Sequence, residues 1–107
     1  MKRGEIWWVE FDPSLGSEIK KRRPAVIISN DASNRAQSRV QVIPLTSNAA
    51  KIYPWEAAVT LDRTRSKAMA DQIRTVAKAR LSSLAGAASA RELRAIENAV
   101  RFQLGLK

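Results

Sequence analysis

The sequence contains neither cysteine nor histidine, and these two absences narrow its possible chemistry. Without cysteine there can be no disulfide and no thiolate metal site, which fits a reducing compartment and predicts a cytoplasmic protein. Without histidine, the chain lacks the usual general base and the commonest metal ligand, so we expect no metal site. Long apolar runs are also missing. The run Ile6–Val9 stops at Glu10, and we therefore expect no signal peptide and no membrane span.

Positive charge is abundant. The chain has 19 lysine and arginine residues against 10 acidic ones, a net charge of +9 over 107 residues. Such a charge on a small protein favours a polyanionic partner, RNA or DNA first, although a basic surface that only confers solubility is the alternative. A hydrophobic content of 45% is typical of a globular protein, and the length predicts one domain over residues 1–107.

Short runs of β-branched, aromatic and apolar residues predict five or more strands. The polar stretches between them, residues 12–17 and Asn30–Ser38, are predicted as a turn and a loop, and the basic cluster Lys20–Arg23 closes the first of these. The predicted strands are Glu5–Phe11, Pro24–Ser29, Val40–Leu45 and Trp55–Leu61, with one or two more in Lys67–Val76.

The C-terminus changes to a helical period. Ser89 and Glu92 have the spacing of a capping box, which predicts a helix start. Leu93, Ile96, Val100 and Leu104 then fall on one helical face. A weaker stripe through Ala95, Ala99, Phe102 and Leu106 is either dimer surface or simply an alanine-rich helix. The predicted fold is mainly β with α, a small bent sheet or barrel with a helical lid.

Two predicted strand ends carry groups suited to a phosphodiester. Arg23 runs directly into the second strand, and Thr46 and Ser47 follow the third. A guanidinium fork matches phosphate oxygens two at a time, and a hydroxyl donates to phosphate at little cost in charge. The alternatives are a surface arginine in a basic loop and a turn-forming pair at a strand end.

Two further features point to RNA less specifically. Trp7 and Trp8 alternate along a strand, so they point to opposite faces. One should belong to the core, and the other could stack an unpaired base or lie in a subunit interface. Lys20, Lys21 and Arg22 would steer phosphate, unless they are only a solvated turn.

Five segments, in order and over nearly the whole chain, carry a resemblance to a known family: RGEIWWVEFDPSLGSE at 3–18, RPAVIISND at 23–31, VIPLTS at 42–47, YPWEAAV at 53–59 and ADQIRTV at 70–76. Together they resemble the MazF/PemK family of toxins. The resemblance implies an SH3-like β-barrel with a C-terminal helix, usually a homodimer. It also implies metal-independent, cofactor-free cleavage of single-stranded RNA, neutralised by an acidic cognate antitoxin.

The resemblance assigns roles to individual residues. Arg23 matches the catalytic arginine and Thr46 its catalytic partner, with Ser47 beside it as an RNA-binding residue. Glu18 matches an acid that could accept the proton of the ribose 2′-hydroxyl or hold a cation in place. The remaining matches are RNA-binding: Gly16 and Ser17 on a loop that covers RNA, Lys20, Lys21 and Arg22 as phosphate contacts, and Asp71 and Gln72 as possible readers of base edges.

This chain departs from one branch of the family, in which the aspartate matching Asp71 is the base, an arginine the acid, and a histidine assists. Met69 stands in place of that arginine and Ser17 in place of that histidine. The arrangement of Arg23 and Thr46 is therefore the better match. It predicts an endoribonuclease toxin that cuts mRNA to leave 2′,3′-cyclic phosphate and 5′-hydroxyl ends. The alternatives are a non-enzymatic inhibitor of the gyrase-binding type, or an RNA-binding module, on the same barrel.

Overall fold

The computed structural model describes residues 1–11 and 21–107. Within these ranges the chain forms seven strands, two α-helices and two short 3₁₀ turns, at Ala70–Gln72 and Lys78–Arg80. In chain order the strands and helices are β1 (Glu5–Phe11), β2 (Lys21–Ile27), α1 (Asp31–Ala36), β3 (Arg39–Thr46), β4 (Glu56–Leu61), β5 (Thr64–Met69), β6 (Arg74–Ala77), β7 (Leu81–Ala87) and α2 (Ala90–Leu104).

The strands form one antiparallel sheet with the spatial order β4-β5-β3-β2-β1-β7, and β6 pairs with β3. The sheet curls so strongly that its two ends meet. At Gly86 in β7, a Cβ atom would lie 3.1 Å from Leu61 Cδ1 at the end of β4. The predicted fold, a mainly β barrel-like sheet with a C-terminal helix, is therefore confirmed.

The curl buries both faces of the central strands. Successive residues of β3 alternate between two apolar clusters, with Ile43 and Leu45 in the first and Val40 and Val42 in the second. Helix α2 covers the first cluster with Ile96 and Ala99. Because period-two alternation sends side chains to opposite faces, one strand contributes to two cores. This explains why the strands read as almost continuous apolar runs.

Helix α2 begins as its sequence predicts. Ser89 Oγ accepts a hydrogen bond from Glu92 N at 3.0 Å, and Glu92 Oε1 accepts one from Ser89 N at 2.8 Å, so the capping box is confirmed. Gly105 ends the helix in the left-handed conformation, with φ of 69°. The predicted apolar face is buried at Ile96 but exposed at Leu104.

Two local predictions were wrong. Asn30–Ser38 is not a loop throughout, because it contains helix α1. Asn30 caps this helix by accepting from Ala32 N at 2.7 Å, so the polar residues that favoured a loop here start a helix instead. The basic residues at 21–23 do not close a turn; they form the first half of β2. Strand β7 lies in a segment for which no element was predicted.

No helix within the described residues is both long enough and apolar enough to cross a membrane.

Candidate active site

Two prolines mark the place where β2 and β3 separate. The two strands pair from Ile27–Val42 to Ala25–Pro44. Beyond that point β2 continues alongside β1, with Pro24 opposite Trp8, while β3 continues alongside β5. Proline has no N–H to donate to a ladder, so Pro24 and Pro44 cannot extend the pairing between their strands. A gap therefore opens in the sheet.

A cavity of about 330 Å³ occupies this gap. It combines two cations with three hydroxyls and one aromatic ring, which is the composition expected of a site for a phosphorylated, base-bearing ligand. Among the described residues its lining consists of Trp8, Arg22, Arg23, Pro24, Leu45, Thr46, Ser47 and Ser66. The structure thus brings together Arg22, Arg23, Thr46 and Ser47 from the predicted site residues.

Arg23 is partly buried, and its Nε is fully buried with no hydrogen-bond partner among the described residues. Its backbone is fixed opposite Val9 in the β1–β2 ladder, and Val9 is completely buried. Buried polar atoms in folded proteins nearly always have a partner. An arginine with an unused N–H beside a cavity is therefore prepared for an acceptor that arrives with a ligand.

Thr46 ends β3 directly opposite Lys67 of β5, which fixes its backbone. Its Oγ1 accepts a hydrogen bond from Asn48 N at 3.3 Å. Because this bond uses only a lone pair, the hydroxyl hydrogen of Thr46 remains available to donate into the cavity. Ser47 is the next residue, and it is exposed.

Arg22 forms the outer wall of the cavity with Trp8. The Arg22 guanidinium lies 4.4 Å from the centre of the Trp8 ring, in cation–π geometry. It also contacts Glu10 Oε1 at 3.5 Å and donates to Ser83 Oγ at 3.4 Å. These contacts are exposed, so water and salt screen them and a polyanion could compete for the guanidinium.

The two tryptophans lie in different surroundings, as the alternation along the strand predicts. Trp7 packs against the second apolar cluster, and its Nε1 donates to Glu5 Oε1 at 3.0 Å. Trp8 lines the cavity instead. Base stacking by Trp8 stays a prediction.

Other predicted residues lie elsewhere. Asp71 and Gln72 are in the 3₁₀ turn that follows β5, and they are not among the described residues that line the cavity. Asp71 is exposed, and Gln72 Nε2 contacts Met69 Sδ at 3.9 Å. The predicted site residues Gly16, Ser17, Glu18 and Lys20 lie outside the described residues, and of Lys21 only the backbone is described, in β2.

Ser66 was missed by the sequence analysis. It lies in β5, is buried, and lines the cavity next to Thr46 and Ser47. The period-two pattern contained a signal for it, because Ser66 shares strand parity with the buried Ala68. A single serine in a strand with two flanking cations, Arg65 and Lys67, did not suggest a site.

Residues 2–104 match the family of PemK-like, MazF-like toxins of type II toxin–antitoxin systems. This chain belongs to that family. The predicted family is thereby confirmed over almost the entire sequence.

Two relatives of this PemK/MazF toxin match it along nearly their full length. It is 42% identical to endoribonuclease MazF9 of Mycobacterium tuberculosis over 115 aligned positions, covering 99% of this chain and 98% of the relative. It is 32% identical to the endoribonuclease toxin MazF of Escherichia coli, covering 95% of this chain and 92% of the relative.

Solved structures of similar proteins have the same fold. The crystal structure of MazF from Deinococcus radiodurans superposes with a TM-score of 0.86 at 28% identity, covering 99% of this toxin and 97% of that chain. An endoribonuclease in complex with its cognate antitoxin, from mycobacterial species, superposes with a TM-score of 0.82 at 26% identity, covering 100% and 97%.

Proposed function

We propose that this toxin is a metal-independent endoribonuclease that cleaves single-stranded RNA in the cavity between β2 and β3. That the protein is a MazF-type endoribonuclease toxin follows from its family and from relatives with this name that it matches along nearly their full length. What we propose beyond this is the chemistry of the cut and the residues that carry it out. The observation that carries it is the buried, unpartnered Nε of Arg23 beside the hydroxyls of Thr46 and Ser47.

The nucleophile in this proposal is the substrate's own 2′-hydroxyl. Its oxygen attacks the adjacent phosphorus, the bond from phosphorus to the 5′-oxygen breaks, and that oxygen takes up a proton from water as it leaves. The products are a 2′,3′-cyclic phosphate and a 5′-hydroxyl. No protein nucleophile is required, which suits a site whose described lining has no carboxylate.

Arg23 would act mainly by electrostatics. The five-coordinate phosphorane carries more negative charge than the ground state, so a fixed two-pronged cation stabilises it preferentially. Arginine is a poor proton donor because its guanidinium holds its proton far too tightly near neutral pH. Thr46 would donate its free hydroxyl hydrogen to a phosphate oxygen. Glu18 is proposed as the base that removes the 2′-hydroxyl proton, and Asp71 is the less favoured candidate because it is not among the cavity-lining residues.

The proposed substrate is unpaired mRNA in the cytoplasm, because a sequence-selective protein can reach RNA bases only when they are splayed out. The proposed assembly is a twofold homodimer. Large apolar side chains that are more than half exposed support it on β7 (Leu84) and at the end of α2 (Phe102, Leu104 and Leu106). Sedimentation at micromolar concentration should give twice the mass of one chain.

The test is cleavage of a single-stranded RNA in excess EDTA. We expect cutting to continue, and the products to carry cyclic phosphate and 5′-hydroxyl ends by mass spectrometry. The matched control is the same oligonucleotide with 2′-deoxyribose at the cut position, which should bind but remain intact. Cleavage of the deoxy substrate, or complete arrest by EDTA, would contradict the mechanism. Binding without any cleavage would favour the non-enzymatic alternatives.

A further inference from the structure

Three polar residues are buried in the described part of the chain: Ser29, Asn34 and Ser66. The first two satisfy each other. Ser29 Oγ lies 2.5 Å from Asn34 Oδ1, and Asn34 Nδ2 donates to Ser29 O at 3.0 Å. Ser29 Oγ also accepts from Gln41 N at 3.0 Å. These bonds give Ser29 and Asn34 a purely structural reason to be polar.

Ser66 has no such reason. It is 6% exposed, yet its hydroxyl makes no hydrogen bond to any described residue. Its strand β5 lies between β3 and β4, where the other buried positions are apolar, and alanine would fit the strand as Ala68 does. The hydroxyl instead lies at the wall of the cavity. A hydroxyl that makes no hydrogen bond within the described chain is free to donate to a ligand that binds in the cavity.

The position of Ser66 indicates which partner. The β3–β5 register places Leu45 opposite Ala68 and Thr46 opposite Lys67. One further step along both chains brings Ser66 beside Ser47, at the wall of the cavity that Arg23 also lines. Arg23, whose Nε has no partner among the described residues, and Ser66 thus line one cavity. A single phosphodiester has two non-bridging oxygens and can accept from both.

We propose that Ser66 is a further substrate-contacting residue, whose hydroxyl donates to a non-bridging oxygen of the phosphodiester that Arg23 holds. The inference rests on the proposed function of the cavity. It assigns Ser66 the same chemical task as Thr46 from the opposite strand, so that the phosphate is held between the ends of β3 and β5. In this role the hydroxyl of Ser66 makes its hydrogen bond only when substrate is bound.

The experiment compares Ser66→Ala with Ser29→Ala. Loss of a substrate contact should lower the cleavage rate, whereas loss of a structural contact should lower the thermal midpoint. Ser66→Ala removes a hydroxyl that makes no hydrogen bond to a described residue, so its thermal midpoint should stay close to that of the wild type. Its kcat/KM for RNA cleavage should fall on the order of tenfold to a hundredfold, as for other lost transition-state donors. Ser29→Ala breaks a satisfied network, so it should melt earlier and cleave like the wild type well below its midpoint.

A second measurement identifies the contact itself. Substrates with sulfur in place of one or the other non-bridging oxygen at the cut should be cleaved at different rates by the wild type. Ser66→Ala should lose most of the penalty for the sulfur that replaces its oxygen, because sulfur accepts hydrogen bonds poorly. Wild-type cleavage and wild-type sulfur penalties in Ser66→Ala would overturn the proposal, as would a fall in thermal midpoint like that of Ser29→Ala. Activity in Arg23→Ala, in contrast, would overturn the proposed function of the cavity.

Discussion

Lys67 Nζ lies 2.9 Å from Glu56 Oε1, and the two side chains are only 11% and 8% exposed. Lys67 stands directly opposite Thr46 in the β3–β5 ladder. Its Nζ also donates to Lys51 O at 2.9 Å, and Glu56 Oε1 accepts from Tyr53 N at 3.0 Å. This ion pair therefore connects the strand beside the proposed catalytic threonine to the segment that joins β3 and β4.

Loss of one charge of this ion pair should lower the free energy of unfolding strongly, whereas replacing both residues together should lower it much less. Removing one partner leaves a buried charge uncompensated, so Glu56→Gln or Lys67→Met should destabilise the protein by about 3–5 kcal/mol. The double variant Glu56→Leu with Lys67→Met should recover much of that loss. Urea unfolding of the four proteins forms the required double-mutant cycle. Equal and additive losses would mean that the two charges do not interact.

Arg23 and Thr46 should differ in how strongly cleavage depends on them. Arg23→Ala should abolish cleavage, and Arg23→Lys should restore little, because an ammonium group lacks the two-pronged geometry. Thr46→Ala should lose on the order of tenfold to a thousandfold in kcat, the effect of one lost donor. Single-turnover kinetics measure both. Arg94→Ala, an exposed arginine on α2, is the matched control and should cleave normally. Full activity in Arg23→Ala would refute the mechanism.

Binding should depend on salt and on strandedness. Because phosphate contacts release counterions, the affinity for the uncleavable 2′-deoxy analogue should fall steeply as salt rises. Arg22→Ala should reduce the slope of that dependence by about one, the effect of one phosphate contact. Fluorescence anisotropy over a salt series measures it. A duplex of the same sequence should resist cutting, and equal cutting of a hairpin's stem and loop would contradict this.

An acidic antitoxin segment should compete with RNA for the cavity. It would pair with Arg23 and the Lys20–Arg22 cluster while an apolar anchor fills a groove, and would order on binding. A peptide from the antitoxin reading frame next to this toxin's gene should therefore displace labelled RNA analogue. A scrambled peptide of equal charge is the control. A stable ternary complex that keeps RNA at the cut site would show that inhibition is not steric.

Acid should destabilise the protein through Asp31. Its Oδ1 accepts from Arg3 N at 2.7 Å, and this backbone hydrogen bond is the main cause that holds the pKa of Asp31 below its ordinary 3.8. A carboxyl whose pKa is lower in the folded state adds stability above the unfolded pKa, and that stability is lost as pH falls through the folded pKa. The thermal midpoint should therefore decrease as the pH is lowered below about 4, and it should decrease less steeply in Asp31→Asn. Parallel curves for the two proteins would contradict this.

Local patterns in the sequence were sufficient for much of the fold. Helix α2 was predictable because its capping residues, Ser89 and Glu92, and its apolar face are properties of a short segment. The strands were recognisable because alternation and β-branching act residue by residue. Asn30 was ambiguous for the same local reason: a polar residue that favours a loop also caps a helix, and only the chain that follows decides between them.

The sequence by itself determined which groups were available: a chain with neither histidine nor cysteine, an arginine before one strand and hydroxyls after another. It could not determine that they meet. Arg23 and Thr46 share a cavity because β2 and β3 separate at Pro24 and Pro44, and the unpaired hydroxyl of Ser66 faces that cavity through the register of β5 against β3. Strand register and sheet curl depend on contacts between residues distant in the chain. Only the tertiary structure therefore decided which polar groups line one cavity.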